Sequence, residues 1–108
     1  MNRKTLSDDA LDLIAGRFKL LSEASRLKLI IALEEGERNV GELVTATDLT
    51  QANVSRHLAA LTDGGILARR KEGLNVYYSI ADPGIFQMCE SVCGSLKKRL
   101  GEQSEAFR

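Results

Sequence analysis

Residues 50–67 read TQANVSRHLAALTDGGIL, and residues 68–80 continue directly as ARRKEGLNVYYSI; these two segments decide the fold. In the first segment, Val54, Leu58 and Leu61 recur at helical spacing and predict a short helix with one apolar face. The second segment carries aromatic and β-branched residues after a glycine-containing turn and predicts a β-hairpin. A short amphipathic helix followed at once by a hairpin with a basic first strand is therefore the central prediction.

The side of this helix that faces away from its apolar residues is polar or small. It carries Gln51, Ala52, Asn53, Ser55, Arg56 and Ala60. Gln and Asn side chains pair bidentately with adenine, and Arg with guanine, in a major groove that is wide enough for a helix. Thr50 is the expected N-cap, and the glycine pair at 64–65 ends the helix. An ordinary solvated face is the alternative, but the basic hairpin favours DNA, and we expect Thr50 and the polar members of this set to contact a duplex.

The first strand of the hairpin carries three consecutive bases, Arg69, Arg70 and Lys71. Because strand residues alternate between two faces, Arg69 and Lys71 share one face and Arg70 lies on the other. We expect these side chains to meet phosphates, and one of them to reach the minor groove from the tip of the hairpin. Asn75, in the turn, is a further minor-groove candidate, with a purely conformational role as the alternative.

The remaining sequence adds three helices before this stretch and one long helix after it. Helices are expected at 7–21, 27–36, 40–44, 50–63 and 83–100, with a break at 23–26, and strands at 66–72 and 76–81. The order α-α-α-α-β-β-α predicts a mainly α fold with a small β-hairpin, the winged helix-turn-helix. The whole chain, residues 1–108, is expected to be one domain with a frayed tail at 101–108.

Composition narrows the classes of function. Fifteen basic and fifteen acidic residues cancel among 108, and this neutral balance keeps a protein-binding winged helix open as an alternative to a DNA-binding one. The sequence has no apolar run near the length of a membrane span and no signal peptide, so we expect a cytoplasmic protein without a membrane partner. It also lacks a nucleophile–base pair, a phosphate loop and a metal triad, so we do not expect an enzyme.

Three stretches resemble the ArsR/SmtB family of bacterial transcriptional repressors. They are FKLLSEASRLKLI at 18–30, VGEL at 40–43 and QANVSRHLAALTDGGIL at 51–67. The resemblance implies a homodimer that pairs through its first and last helices, binds double-stranded operator DNA, and leaves it when a metal ion, metalloid or oxidant arrives. It also places His57 where the recognition helix meets the scaffold. We expect this residue to have a structural role or to contact a phosphate rather than to bind a metal, since no cysteine or carboxylate cluster lies near it in the sequence.

Cys89 and Cys93 are the only thiols, and they lie four residues apart on one side of the last predicted helix. Two such thiolates can share one soft metal ion or a metalloid such as arsenic(III) or antimony(III), which would act as an inducer. We do not expect the protein to require a cofactor. In the family that the chain resembles, zinc sensors carry a histidine in the last helix and arsenic sensors carry cysteines in the third helix. This chain has neither. It is similar to members that hold thiol ligands in the last helix alone.

Two other roles for these cysteines stay open. Free cysteine is among the most buried residue types, so both thiols can be small apolar fillers. They can also serve a redox or persulfide sensor, although a disulfide within one helix would be strained because the two Cβ atoms lie too far apart. The family resemblance and the paired thiols together make an operator-binding repressor released by a thiol-reactive inducer the leading interpretation of the sequence.

Overall fold

The computed structural model describes residues 2–101 and 104–107, which form five α-helices and a small three-stranded sheet. In chain order the elements are α1 (Asp8–Leu20), α2 (Ala24–Ala32), β1 (Arg38–Asn39), α3 (Val40–Thr47), α4 (Gln51–Asp63), β2 (Leu67–Glu72), β3 (Asn75–Ile80) and α5 (Gly84–Leu100). Single 3-10 turns lie at Arg3–Thr5 and Glu105–Phe107. The predicted helical order and the hairpin are confirmed. The tail predicted at 101–108 falls partly outside the described residues and stays a prediction.

Three of the α-helices, α1, α3 and α4, begin at side chains that accept hydrogen bonds from otherwise unpaired backbone N–H groups. Ser7 accepts from the backbone of the first turn of α1, and Asn39 and Glu42 form a reciprocal capping box at α3. Thr50 accepts a hydrogen bond from the Asn53 N–H at 3.2 Å, as its N-cap position predicts. Between α3 and α4, Asp48 adopts a left-handed backbone with φ of 59° and turns the chain.

The core gathers around α4. The buried apolar side chains are Leu29, Ile30, Leu33, Leu43, Val54, Leu58, Leu61, Ile66, Leu67 and Ile85. The three of them that α4 contributes are those whose spacing predicted its apolar face, and all three are fully buried. These contacts hold α4 against α2 and α3, which gives the helix-turn-helix unit its shape.

The sheet has one strand more than predicted. β2 and β3 form the expected antiparallel hairpin, and β1 pairs with the free edge of β3, opposite Tyr77 and Tyr78. β1 has only two residues, which is too short to show any alternation of polar and apolar side chains. The prediction of two strands was therefore incomplete rather than misplaced.

The predicted break at 23–26 is wrong beyond its first residue. Glu23 has the extended backbone of an N-cap, and α2 begins at Ala24. The backbone N–H of Arg26 already donates to the Glu23 carbonyl at 3.0 Å. Helical structure therefore starts three residues earlier than the apolar spacing, which first appears at Leu27, could indicate.

Large apolar side chains remain exposed on the first and last helices. They are Leu11, Leu13, Ile14 and Phe18 on α1, and Val92, Leu96 and Leu100 on α5. Grouped exposure of this kind marks a surface that another element or chain covers. Within residues 2–101 and 104–107, no helix has both the length and the apolar character that a membrane crossing requires.

We predict that Leu58→Ala lowers the free energy of unfolding by about 2–5 kcal/mol, because Leu58 is fully buried and its loss leaves a cavity. Urea denaturation at a fixed protein concentration measures the change. Ser55→Ala, on the exposed side of the same helix, is the matched control and should shift the value by less than about 0.5 kcal/mol. Equal losses in the two variants would contradict the assignment of the helix faces.

Candidate nucleic-acid interface

The exposed side of α4 presents the side chains that the sequence singled out. Gln51, Asn53, Ser55 and Arg56 are all exposed, as is Thr50 at the N-cap. Ala52 and Ala59 lie among them, so little bulk separates the helix backbone from whatever lies against it. The result is a polar surface with donors and acceptors, backed directly by the apolar core.

The hairpin that follows α4, the wing, adds positive charge beside that surface. Arg69 and Lys71 are exposed on β2, where Arg69 lies opposite Tyr78 and Lys71 opposite Val76. Their guanidinium and ammonium groups make no hydrogen bond or ion pair within residues 2–101 and 104–107. They are therefore free to meet an anionic partner.

Arg70 differs from its neighbours because carboxylates already hold it. Its Nη2 and Nε donate to the two carboxylate oxygens of Glu37 at 2.6 and 3.2 Å, and Nη1 donates to Glu72 at 2.6 Å. The guanidinium also lies 4.9 Å from the centre of the Tyr77 ring. The hydrogen bond from Arg70 lowers the pKa of the Glu37 carboxyl, and the two carboxylates raise the pKa of Arg70. Arg70 thus fastens the wing to the loop before β1.

His57 does not lie on the exposed side of α4. Its side chain is only 2% exposed, and its Nδ1 accepts a hydrogen bond from Arg26 Nε at 3.1 Å. Arg26 also donates to the Leu20 carbonyl at 3.2 Å and pairs with Glu23 at 3.0 Å. Of the two roles left open by the sequence, this placement favours the structural one over a phosphate contact.

Burial is also the main reason why the pKa of His57 is lowered from its ordinary value. The nearby Arg56 and Arg26 guanidiniums add to the effect, while the Glu23 carboxylate opposes it. The imidazole is therefore neutral at and above neutral pH.

The tip of the wing carries a residue that the sequence analysis did not include. Leu74 is fully exposed between Gly73 and Asn75, and Asn75 is exposed as well. An isolated leucine at a turn was the available signal, because turns of this kind otherwise favour small and polar residues. The wing therefore ends in one apolar and one amide side chain.

The two cysteines lie on α5, away from α4. Both are half-buried and line a cavity of about 470 Å³ between α5, the end of α1 and α2. Its other lining residues are Phe18, Leu21, Leu27, Ile31, Met88, Val92, Leu96 and Phe107. Burial raises the pKa of the Cys89 thiol. Across the described part of the chain, no three His, Cys, Asp or Glu residues are grouped so that they could hold a metal ion.

A helix-turn-helix with a basic wing defines a winged-helix protein, and comparisons with known proteins specify the family. The model of a protein family described as "Bacterial regulatory protein, arsR family" matches residues 23–69. The SmtB homolog of Synechocystis, a transcriptional repressor, is 32% identical over 95 residues that cover 88% of this chain and 72% of the relative. The chain belongs to the ArsR family of bacterial regulatory proteins, which confirms the resemblance and agrees with the expectation that it is not an enzyme.

Two further similarities bear on the candidate site. The arsenical resistance operon repressor of Escherichia coli K12 is 43% identical over 65 residues, 59% of this chain and 56% of the relative. A solution structure from Mycobacterium bovis, described as a homodimeric winged helix-turn-helix DNA-binding domain, is 32% identical with a TM-score of 0.75 and covers 94% of this chain and 95% of that one. The chain spans little more than half the length of the first curated relatives it matches.

We predict that the free energy of unfolding decreases as the pH falls below about 6.5. Folding lowers the pKa of His57, so the unfolded chain takes up the proton first and acid favours unfolding. Urea denaturation at about pH 8 and about pH 5.5 measures this fall. His57→Gln removes the titrating group, so the variant should lose less stability between the two pH values than the wild type. An identical fall in both proteins would show that His57 does not contribute.

Proposed function

We propose that the chain is an operator-binding transcriptional repressor that acts as a homodimer. The observation that carries this proposal is the division of α4 into a fully buried apolar side and an exposed side with two amides, a hydroxyl and a guanidinium. A helix anchored in this way can lie in a major groove while its outer side chains contact base edges. The neighbouring wing supplies the cations that phosphates attract.

The homodimer is proposed from the apolar side chains left exposed on α1 and α5. Leu13 on α1 is 78% exposed and Val92 on α5 is 51% exposed, and covering both would remove apolar surface from water. The homodimeric description of the related Mycobacterium bovis domain supports the same arrangement. Pairing through these helices would present two copies of α4 to successive turns of a duplex.

The proposed DNA contacts follow from side-chain chemistry. Gln51, Asn53 and Arg56 are assigned to base edges. Thr50, Ser55, Arg69 and Lys71 are assigned to phosphates, and Asn75 to the minor groove. Arg70 can contact a phosphate only if that phosphate replaces one of its carboxylate partners. His57 is assigned to the scaffold.

Arg56→Ala tests the reading surface. With a duplex selected from a random library by the wild-type protein, we expect the variant to bind about 1–3 kcal/mol more weakly and to discriminate less between sequences. Arg99→Ala, at the end of α5, removes the same charge away from α4 and should bind like the wild type. Unchanged binding by Arg56→Ala would show that the reading surface is wrong. Failure of the wild type to select any duplex would favour a protein-binding winged helix.

Glu37→Gln tests whether Arg70 is withheld from DNA by its own carboxylate partner. The amide cannot hold the guanidinium as a carboxylate does, so we expect tighter binding to every duplex and a steeper salt dependence, by up to about one phosphate contact per subunit. Filter binding across a salt series measures both. Glu35→Gln, which removes the same charge from a neighbouring exposed residue, should change affinity less. Equal effects of the two variants would show that the gain in affinity comes from the change in net charge rather than from the release of Arg70.

For regulation, we propose that Cys89 and Cys93 bind a trivalent metalloid, arsenic(III) or antimony(III), which releases the DNA. Support comes from the cavity, because both thiols line it and every other lining side chain is apolar. Uncharged arsenous acid can enter such a space. Each thiol forms a sulfur–arsenic bond as an arsenic–oxygen bond breaks, and the thiol proton leaves with the hydroxide as water. Because this step releases no net proton, the raised pKa of Cys89 does not oppose the net reaction, although it lowers the fraction of reactive thiolate.

A divalent cation fits this cavity less well. It would bring two charges into an apolar space and would require both thiols to lose their protons to solvent. Occupation of the cavity would change the surface that α1 and α5 present, because residues of both helices line it and Phe18 and Val92 are more than half exposed. Since these helices are the proposed dimer contact, a changed surface would change the spacing of the two α4 helices, on which binding to both half-sites depends.

The double variant Cys89→Ser/Cys93→Ser tests the inducer site. We expect it to bind the selected duplex like the wild type and to remain bound when arsenite or antimonite is added. Fluorescence anisotropy of the labelled duplex measures release, and Met88→Leu, in the same cavity without loss of a thiol, should still respond. Release of the double variant by arsenite would place sensing elsewhere. Release of the wild type by a persulfide but not by arsenite would support redox sensing instead.

A further inference from the structure

The Arg26 side chain joins three elements of the fold. Nη1 donates to the Leu20 carbonyl at the end of α1, Nη2 pairs with Glu23 at the N-cap of α2, and Nε donates to His57 on α4. The three distances lie between 3.0 and 3.2 Å, and the side chain is only 14% exposed. Neither the sequence nor the proposed DNA contacts had given this residue a role.

The contact with Arg26 determines which nitrogen of His57 carries the proton. A guanidinium has only donors, so the Nδ1 that receives the Arg26 Nε–H at 3.1 Å must be unprotonated. A neutral imidazole has one N–H, and that hydrogen must therefore lie on Nε2. Protonation of both nitrogens would set an N–H against the Arg26 N–H and is disfavoured at this buried position.

The other ring nitrogen faces the residue proposed to read guanine. His57 Nε2 lies 3.4 Å from Arg56 Nη2. When Nε2 carries the hydrogen, both atoms are donors and no hydrogen bond can form between them. In the opposite tautomer, Nε2 would accept from Arg56 and hold its guanidinium back against the protein surface. The tautomer of His57 therefore decides whether Arg56 is retained or free.

We propose that Arg26 is a positioning residue for DNA recognition: by donating to His57 Nδ1 it selects the Nε2–H tautomer, which leaves the Arg56 guanidinium available to the duplex. This inference rests on the proposed function, because it gives Arg56 the same role. It assigns Arg26 an effect that reaches the DNA through two side chains, without any contact of its own.

The tautomer can be measured directly on the wild-type protein. His57 is the only histidine in the sequence, so its ring signals in a nitrogen-15 NMR spectrum need no assignment. At about pH 8, where the imidazole is neutral, we expect a protonated Nε2 and an unprotonated Nδ1. A protonated Nδ1 would overturn the proposal. The measurement needs neither DNA nor a variant, so it is independent of the proposed function.

A double-mutant cycle then separates positioning of Arg56 from general support of the fold. Arg26 meets its three acceptors with three separate nitrogens, which the single ammonium nitrogen of lysine cannot replace, so Arg26→Lys should weaken binding to the selected duplex about tenfold. In an Arg56→Ala background the same change should cost less than about twofold, because no guanidinium remains to be held back. Equal losses in both backgrounds would make Arg26 merely structural and overturn the proposal. Failure of the wild type to bind any duplex would instead overturn the proposed function.

Two further variants serve as matched controls. Glu23→Gln weakens the ion pair of Arg26 but keeps its hydrogen bond to His57, so binding should stay within about twofold of the wild type. His57→Asn keeps an acceptor near the position of Nδ1 and has no atom at Nε2, so it should also bind within about twofold. A tenfold loss in His57→Asn, with folding confirmed by circular dichroism, would contradict the role given to Nε2. This variant carries the test if Arg26→Lys does not fold.

Discussion

The burial of one side of α4 is the constraint on which the rest of the molecule depends. Val54, Leu58 and Leu61 are fully buried, and rolling the helix far enough to expose any one of them would cost roughly 1.5–3 kcal/mol of folding free energy. The helix therefore has one orientation, and its polar side chains point in a direction set by the core. Specific contact with a duplex becomes a consequence of packing, because a helix that could roll would present a different set of side chains each time.

The electrostatics of the wing explain how a chain with no net charge can still present a positive surface. Fifteen acidic residues balance fifteen basic ones, but the balance is uneven in space. Glu37 and Glu72 neutralise Arg70 and hold the wing through it, while Arg69 and Lys71 on the same strand have no ion pair with any residue that the structure describes. One of three adjacent cations thus provides rigidity, and the other two provide attraction. Net charge alone could not distinguish these uses.

Much of the fold was predictable because its signals are local. The spacing of the apolar residues indicated α4, and Thr50, a favourable N-cap residue, indicated where this helix begins. The burial of His57 was also available from spacing, since it lies three residues after Val54 and four before Leu61, on the apolar side. Spacing alone left its role open, because a polar residue on an apolar face is not expected to be buried unless it has a partner.

The partners themselves could not be predicted, because they depend on the tertiary structure. Arg26 and His57 are separated by 31 residues, and Glu37 and Arg70 by 33. Each pair meets only after several elements have packed, and no local pattern distinguishes these polar and charged residues from the many solvated ones. The same applies to β1, whose two residues become a strand only because β3 offers them an edge.

The left-handed backbone at Asp48 has a consequence for how this fold can vary. A φ of 59° is accessible to Gly, Asn and Asp but strained for β-branched residues, and it lies where the chain turns from α3 into α4. Substitution of Asp48 is therefore restricted to residues that tolerate a left-handed backbone, even though its side chain is exposed. Evolution of the link between the two helices is limited at this position by backbone conformation, while the shared core limits it elsewhere.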